Sequence, residues 1–142
     1  MAETGTLVLD QAALDDLLAH EFSKNEFIRN FRVDEVTSDH LVLRLLVDEK
    51  HLRPGDTVSG PAMFALADVA MYLAILSRIG PELRAATTNC SIDFMRRPSG
   101  QRDLVATTRV LKIGRRLAVA DVLVFSDGEE EPVARGSGTY AI

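Results

Sequence analysis

The chain has 142 residues, 46% hydrophobic and 26% charged, the size and balance of one globular domain (1–142) with a single core. A formal net charge of -5 gives no overall pull toward nucleic acid or anionic lipid, so an anionic ligand has to be met by a local basic patch. Cys90 is the only cysteine, which excludes an internal disulfide and any multi-cysteine metal site. The polar start Met1-Ala2-Glu3-Thr4 lacks a leader's basic-then-apolar order, so a cytoplasmic location is expected.

In chain order, Leu7, Leu14, Leu17, Leu18 and Phe22 fall at roughly helical spacing among acidic residues. They predict an amphipathic helix from about Asp10, a lid or packing element within an N-terminal extension of about residues 1–30. Residues 31–47 predict one long strand, with Leu41, Leu43 and Leu45 on one face and Val42, Arg44 and Leu46 on the other. Ser59 or Gly60 is placed to cap a second helix, with Pro61 at its first position and Gly80-Pro81 as its stop. Four further strands are predicted at 86–95, 103–112, 116–125 and 132–142, linked as consecutive antiparallel hairpins by turns at Pro98-Ser99-Gly100, Gly114 and Asp127-Gly128. The sum is an α+β fold, an antiparallel sheet wrapped around one long central helix.

Between Pro61 and Leu76 apolar residues occupy every helical face, and only Asp68 interrupts them. The stretch falls short of the roughly 20 residues that cross a bilayer, so it is expected to be buried in protein. A buried carboxylate has to be paired, hydrogen-bonded, or turned to a cavity that holds water and substrate. Its bland partner is a nearby backbone group or the Tyr72 hydroxyl one turn on. The helix start, with free N–H groups at Gly60, Ala62 and Met63, favours developing negative charge. Gly60 and Asp68 lie eight residues apart, roughly 12 Å along the axis. They can meet on one carbonyl only if each comes from a different subunit of an isologous dimer.

The stretch Val58-Ser59-Gly60-Pro61-Ala62-Met63-Phe64-Ala65-Leu66-Ala67-Asp68 resembles the hot-dog thioesterases of the phenylacetate-degradation (PaaI-like) type. The segments Ile92-Asp93-Phe94-Met95-Arg96-Arg97-Pro98, Ile113-Gly114-Arg115-Arg116-Leu117 and Gly138-Thr139-Tyr140-Ala141-Ile142 extend the likeness over about residues 41–142. The resemblance implies a hot-dog fold and hydrolysis of a small, medium or aryl acyl-CoA thioester, coenzyme A being part of the substrate, with no separate cofactor and no metal. It assigns Asp68 as nucleophile or general base, Gly60 as oxyanion donor and Thr87 as the hydroxyl that positions water, with Thr88 and Asn89 nearby. Ser59, Pro61, Asn89, Arg96, Arg97, Arg115 and Arg116 are the implied substrate or coenzyme A contacts, and a homodimer, open to stacking into a tetramer, is the implied assembly. The family's His-Gly-Gly reads Ser59-Gly60-Pro61 here, and its upstream asparagine aligns with Arg53. Those departures motivate the alternative of a non-catalytic acyl-CoA binding or sensing protein.

Arg96, Arg97, Arg102, Lys112, Arg115 and Arg116 are concentrated near turns of the strand half, where guanidinium groups can hold phosphates; the bland reading of each is a solvated surface. His20, His40 and His51 lack metal-site spacing and read as surface histidines, and Cys90 reads as a strand packing residue. No Gly-x-Ser-x-Gly elbow, phosphate-binding glycine loop or dinucleotide fingerprint is present. A scaffold dimer whose Asp68 only satisfies a buried hydrogen bond ranks behind both ligand-handling readings.

Overall fold

The central helix begins and ends where its local signals lie. In the computed structural model, which describes residues 6–26, 28–82 and 84–142, helix α2 spans Gly60–Ile79. The N-terminal Met1, Ala2, Glu3 and Thr4 lie outside the described residues. Ser59 caps α2 through its side chain, which accepts from Ala62 N at 3.2 Å. Gly60 opens the helix and Pro61 takes the second position, one later than the sequence suggests. Gly80 closes it at φ 97°, a left-handed value suited to glycine, and donates its N–H to the Leu76 carbonyl. At 20 residues α2 is longer than its uninterrupted apolar run and, by length and composition alone, matches a membrane span. Its apolar surface is instead mostly buried against the sheet.

Helix α1, Gln11–Glu21, starts at Asp10, whose carboxylate accepts from Ala13 N at 2.9 Å. Strands β1, Phe31–Val36, and β2, Leu41–Leu45, then form a hairpin in place of the single long strand expected. The chain reverses without glycine or proline because the Thr37 hydroxyl accepts from both Asp39 N and His40 N. Two short strands, β3 (Leu52–Arg53) and β4 (Thr57–Val58), pair just before α2. Strands β5 (Ala86–Phe94), β6 (Leu104–Ile113), β7 (Leu117–Ser126) and β8 (Ala134–Ala141) match the expected segments within two residues at each end.

Their order corrects one expectation. The six-stranded antiparallel sheet runs β1-β2-β6-β7-β8-β5, so β5 pairs with β8 at the far edge instead of forming a hairpin with β6. All six strands touch α2, the hot-dog arrangement. The inner face pairs the fully buried Leu41, Leu43 and Leu45 of β2 with the small Ala106, Ala118 and Ala120 of β6 and β7. Small side chains opposite a helix let it approach closely, so the core is filled from the α2 side by Leu66, Met71, Leu73 and Ile75. Helix α1 covers the β1 edge: Asp15 accepts from Val33 N at 2.9 Å and Gln11 donates to Val33 O at 2.7 Å, at the β1 bulge.

His51 is fully buried, contrary to the surface reading of the histidines. Its Nδ1 accepts from Asp48 N at 2.9 Å and its carbonyl from Ser59 N at 2.8 Å, which ties the loop before α2 to the helix start. Burial of an imidazole is tolerable when it replaces hydrogen bonds to water in this way.

One cation clamps the open end of the sheet. The Arg44 guanidinium, with 16% of its side chain exposed, donates to Asp34 at 2.8 Å, Asp103 at 3.2 Å and Asp127 at 2.9 Å. The Asp127 bond above all, then Asp34, raises its proton affinity against the opposing effect of burial. The same bond holds the Asp127 carboxyl below the usual carboxylate range. Arg44→Met leaves three carboxylates facing one another and is expected to lower stability by about 2 kcal/mol at pH 7 in urea unfolding. A carboxyl depressed in the folded state stabilises above its unfolded value near 3.9 and loses that contribution as the pH falls through its lower folded value. The gap between wild type and variant should therefore narrow below about pH 4.

Candidate active site

Between Pro61 and Leu76 the residues of α2 that are not buried are Pro61, Phe64, Ala65, Asp68 and Tyr72, one stripe along the helix. Sequence alone gives α2 no open face; the structure gives it this stripe, because the sheet ends at β5 and leaves that side half covered. Asp68 is accordingly half-buried.

Its carboxylate is held from two strands. Thr87 Oγ1 donates to Asp68 Oδ1 at 2.9 Å, and the Tyr140 hydroxyl lies 2.8 Å from the same oxygen and 2.9 Å from the Asp68 carbonyl. Thr87 of β5 and Tyr140 of β8 are direct cross-strand partners, so their side chains share the face toward α2. A bulge follows at once, since Asn89 pairs with Thr139 and Thr88 is the extra residue, its hydroxyl bonded to Thr139 O at 3.1 Å. The expected partner Tyr72 is not used; its ring instead meets Phe22 edge to face, centroids 6.1 Å apart at 87°.

Tyr140 was not among the expected site residues, although it sits in the closing segment that carries the family likeness. It is fully buried, and burial first, then the Asp68 charge, pushes its phenol well above the usual range, so it remains a donor. Gly138 makes room for it: a Cβ there would stand 2.9 Å from Tyr140 Cε1 and 3.1 Å from its hydroxyl. Burial, then Asp68, pushes the Cys90 thiol up to about 11, and the half-buried side chain packs on the core as expected. With Oδ1 occupied, no described residue hydrogen-bonds Asp68 Oδ2, and a cavity of about 280 Å³ opens beside it. A larger cleft, about 900 Å³, lies away from it over Val42, Arg109 and Leu123 and is lined by none of the expected site residues.

At the helix start Ser59 takes two of the three donors expected there. Ala62 N bonds its hydroxyl and Met63 N its carbonyl at 3.1 Å, while no described residue accepts from Gly60 N–H. Gly60 lies under the end of β5, where an added Cβ would stand 3.6 Å from the Phe94 ring. Within one chain Gly60 therefore belongs to the Phe94 end of β5 and Asp68 to the Thr87 end.

The arginines divide in the same way. Arg96 and Arg97 follow the Phe94 end, Arg96 bonded to Pro132 O at 2.6 Å and paired with Glu131 at 3.4 Å. Arg115 and Arg116 lie at the β6–β7 turn, beside the strand ends where Leu117 and Ala86 both pair with Ala141. All four are exposed. Asn89 is exposed on β5, and the single chain does not bring the four arginines together.

Fold and site define a hot-dog protein with a tethered carboxylate at a half-open cavity. The family model of the thioesterase superfamily matches residues 55–133, and the chain belongs to this superfamily. A candidate thioesterase of Silicibacter sp. TM1040 is 46% identical and superposes with a TM-score of 0.88, over 98% of this chain and 95% of that one. The phenylacetic acid degradation protein PaaI of Thermus thermophilus, in a mutant form, is 28% identical with a TM-score of 0.71, over 82% and 98%. A candidate esterase of Pseudomonas aeruginosa is 34% identical over 100 residues, 70% of this chain and 73% of its own. Membership supports a hydrolase with thioesterase activity. Tyr140→Phe removes one of the two donors on Oδ1 and is expected to lower kcat about tenfold to a hundredfold with KM little changed. Gly138→Ala, which displaces the same ring, should give the same kcat-selective loss in a steady-state assay of thiol release.

Proposed function

We propose that the protein is a homodimeric acyl-CoA thioester hydrolase in which Asp68 Oδ2 is the reacting oxygen. The observation that carries this reading is the asymmetry of the carboxylate, one oxygen held by Thr87 and Tyr140 and the other without a bond from any described residue, on a side chain that lines a cavity. Asp68 takes a proton from a water that attacks the thioester carbonyl, or attacks directly to form a mixed anhydride that water then hydrolyses; either way the carbonyl oxygen takes the negative charge, the carbon–sulfur bond breaks, coenzyme A leaves as a thiolate that is then protonated, and the acyl group leaves as the carboxylic acid.

The oxyanion donor comes from a second copy. Strand β5 is the sheet's edge, with its outer backbone groups available for pairing. A twofold antiparallel pairing centred between Cys90 and Ser91 sets Thr87 opposite the partner subunit's Phe94. That brings the partner subunit's Gly60 to Asp68 and does so twice, as an isologous contact requires. It also joins Arg115 and Arg116 of one chain to the partner subunit's Arg96 and Arg97, a cationic rim suited to coenzyme A phosphates.

Asp68→Asn should abolish thiol release from acyl-CoAs, and Gly60→Val should nearly do so. Unfolding and refolding the two inactive variants together is expected to restore roughly a quarter of wild-type activity, because half the dimers are mixed and each mixed dimer holds one intact site. No recovery would place both groups in one chain. Saturable coenzyme A binding without any turnover in the wild type would favour the acyl-CoA binding protein instead, a reading supported by the single open N–H at the Ser59-Gly60-Pro61 helix start.

A further inference from the structure

The cavity beside Asp68 is walled by Phe22, Val69, Tyr72, Ala85 and Ala86, and Phe22 comes from the end of α1. At about 280 Å³ it lies just under the roughly 300–1,000 Å³ of sites that enclose drug-sized ligands. The two alanines leave the space that the perpendicular Phe22 and Tyr72 rings bound. Three carboxylates act on its lining. Burial first, then Glu21 and Glu82, raises the proton affinity of the Tyr72 hydroxyl, and Asp68 stands across the cavity. Arg84, next in the chain to the wall residue Ala85, is 93% exposed and paired with Glu82 at 3.5 Å.

We infer that this cavity is the acyl pocket, that Phe22 sets its length, and that it accepts compact uncharged acyl groups and rejects those ending in a carboxylate. The inference rests on the thioester reading above and adds the specificity determinant to it. A terminal carboxylate would be desolvated beside Asp68, in a cavity whose described lining holds no cationic side chain. A long chain would collide with the Phe22 ring. Phe22 is half-buried at the C-cap of α1, with its backbone N–H bonded to Leu18 O at 3.2 Å, a bond any residue except proline can make.

Binding can be separated from chemistry with uncleavable thioethers. S-butyl, S-(2-phenylethyl), S-dodecyl and S-(4-carboxybutyl) coenzyme A, with coenzyme A alone as reference, would be titrated calorimetrically into wild type, Phe22→Ala and Ala85→Leu. Wild type should bind the butyl and phenylethyl compounds at least about tenfold more tightly than coenzyme A, and the carboxybutyl and dodecyl compounds no more tightly than it. Phe22→Ala should improve dodecyl binding about tenfold, and Ala85→Leu, which fills the cavity, should weaken phenylethyl binding by a similar factor. Equal affinity for all five ligands, a carboxybutyl compound that binds like the butyl one, or variants that both keep the wild-type ranking would overturn the inference. If the thioethers rank as expected while none of the matching thioesters is cleaved, the hydrolase reading fails and the pocket assignment stands.

Discussion

A carboxylate placed on a helix that touches every strand of its sheet is the constraint around which the rest of the molecule is arranged. Removing Asp68 fully from water would cost several kcal/mol, and no described cation lies against it as a counter-charge. The protein meets part of that cost with two neutral hydroxyls on a single oxygen, one from each of two paired strands. Much local detail follows: Thr87 and Tyr140 must share register, β5 must bulge immediately afterwards, and position 138 must be glycine so that a buried tyrosine ring can lie across β8.

The other oxygen needs the opposite treatment, and the edge of the sheet provides it. Because the order ends at β5, the stripe of α2 from Pro61 to Tyr72 is only half covered, and Asp68 sits where packing gives way to an opening. A seventh strand from the same chain would have closed it. The edge, a feature that folds usually have to protect, is here where the proposed chemistry and the proposed second copy meet.

The parts legible in the sequence are those fixed by neighbours in the chain. The caps of α2 at Ser59 and Gly80, the start of α1 at Asp10 and the buried Leu41, Leu43 and Leu45 all depend on residues a few positions away. The β1–β2 reversal lies in the polar run Thr37-Ser38-Asp39-His40, a turn signal without glycine or proline that a single long strand over residues 31–47 does not accommodate. His51 was misread because what allows its burial is a backbone N–H at Asp48, which composition does not reveal. Asp68 stood out as a charge among apolar residues, yet its holder Tyr140 lies 72 positions away and becomes a neighbour only through the β5–β8 register. The nearer Tyr72 was the natural partner by spacing and faces the cavity wall instead.

Helix α1 lies outside the 55–133 segment that the superfamily shares, and it is fastened elsewhere: to β1 through Gln11 and Asp15, and through Val8 and Leu9, just before it, to the Ser77 carbonyl near the end of α2. None of those ties involves Thr87, Tyr140 or Gly60. The proposed reacting groups thus stand on α2, β5 and β8, while one wall of the adjoining cavity stands on an element with its own anchorage. Substitutions in α1 can reshape that wall while the carboxylate and its two donors keep their places, so the shape of the cavity and the tether of its carboxylate are set by separate parts of the chain.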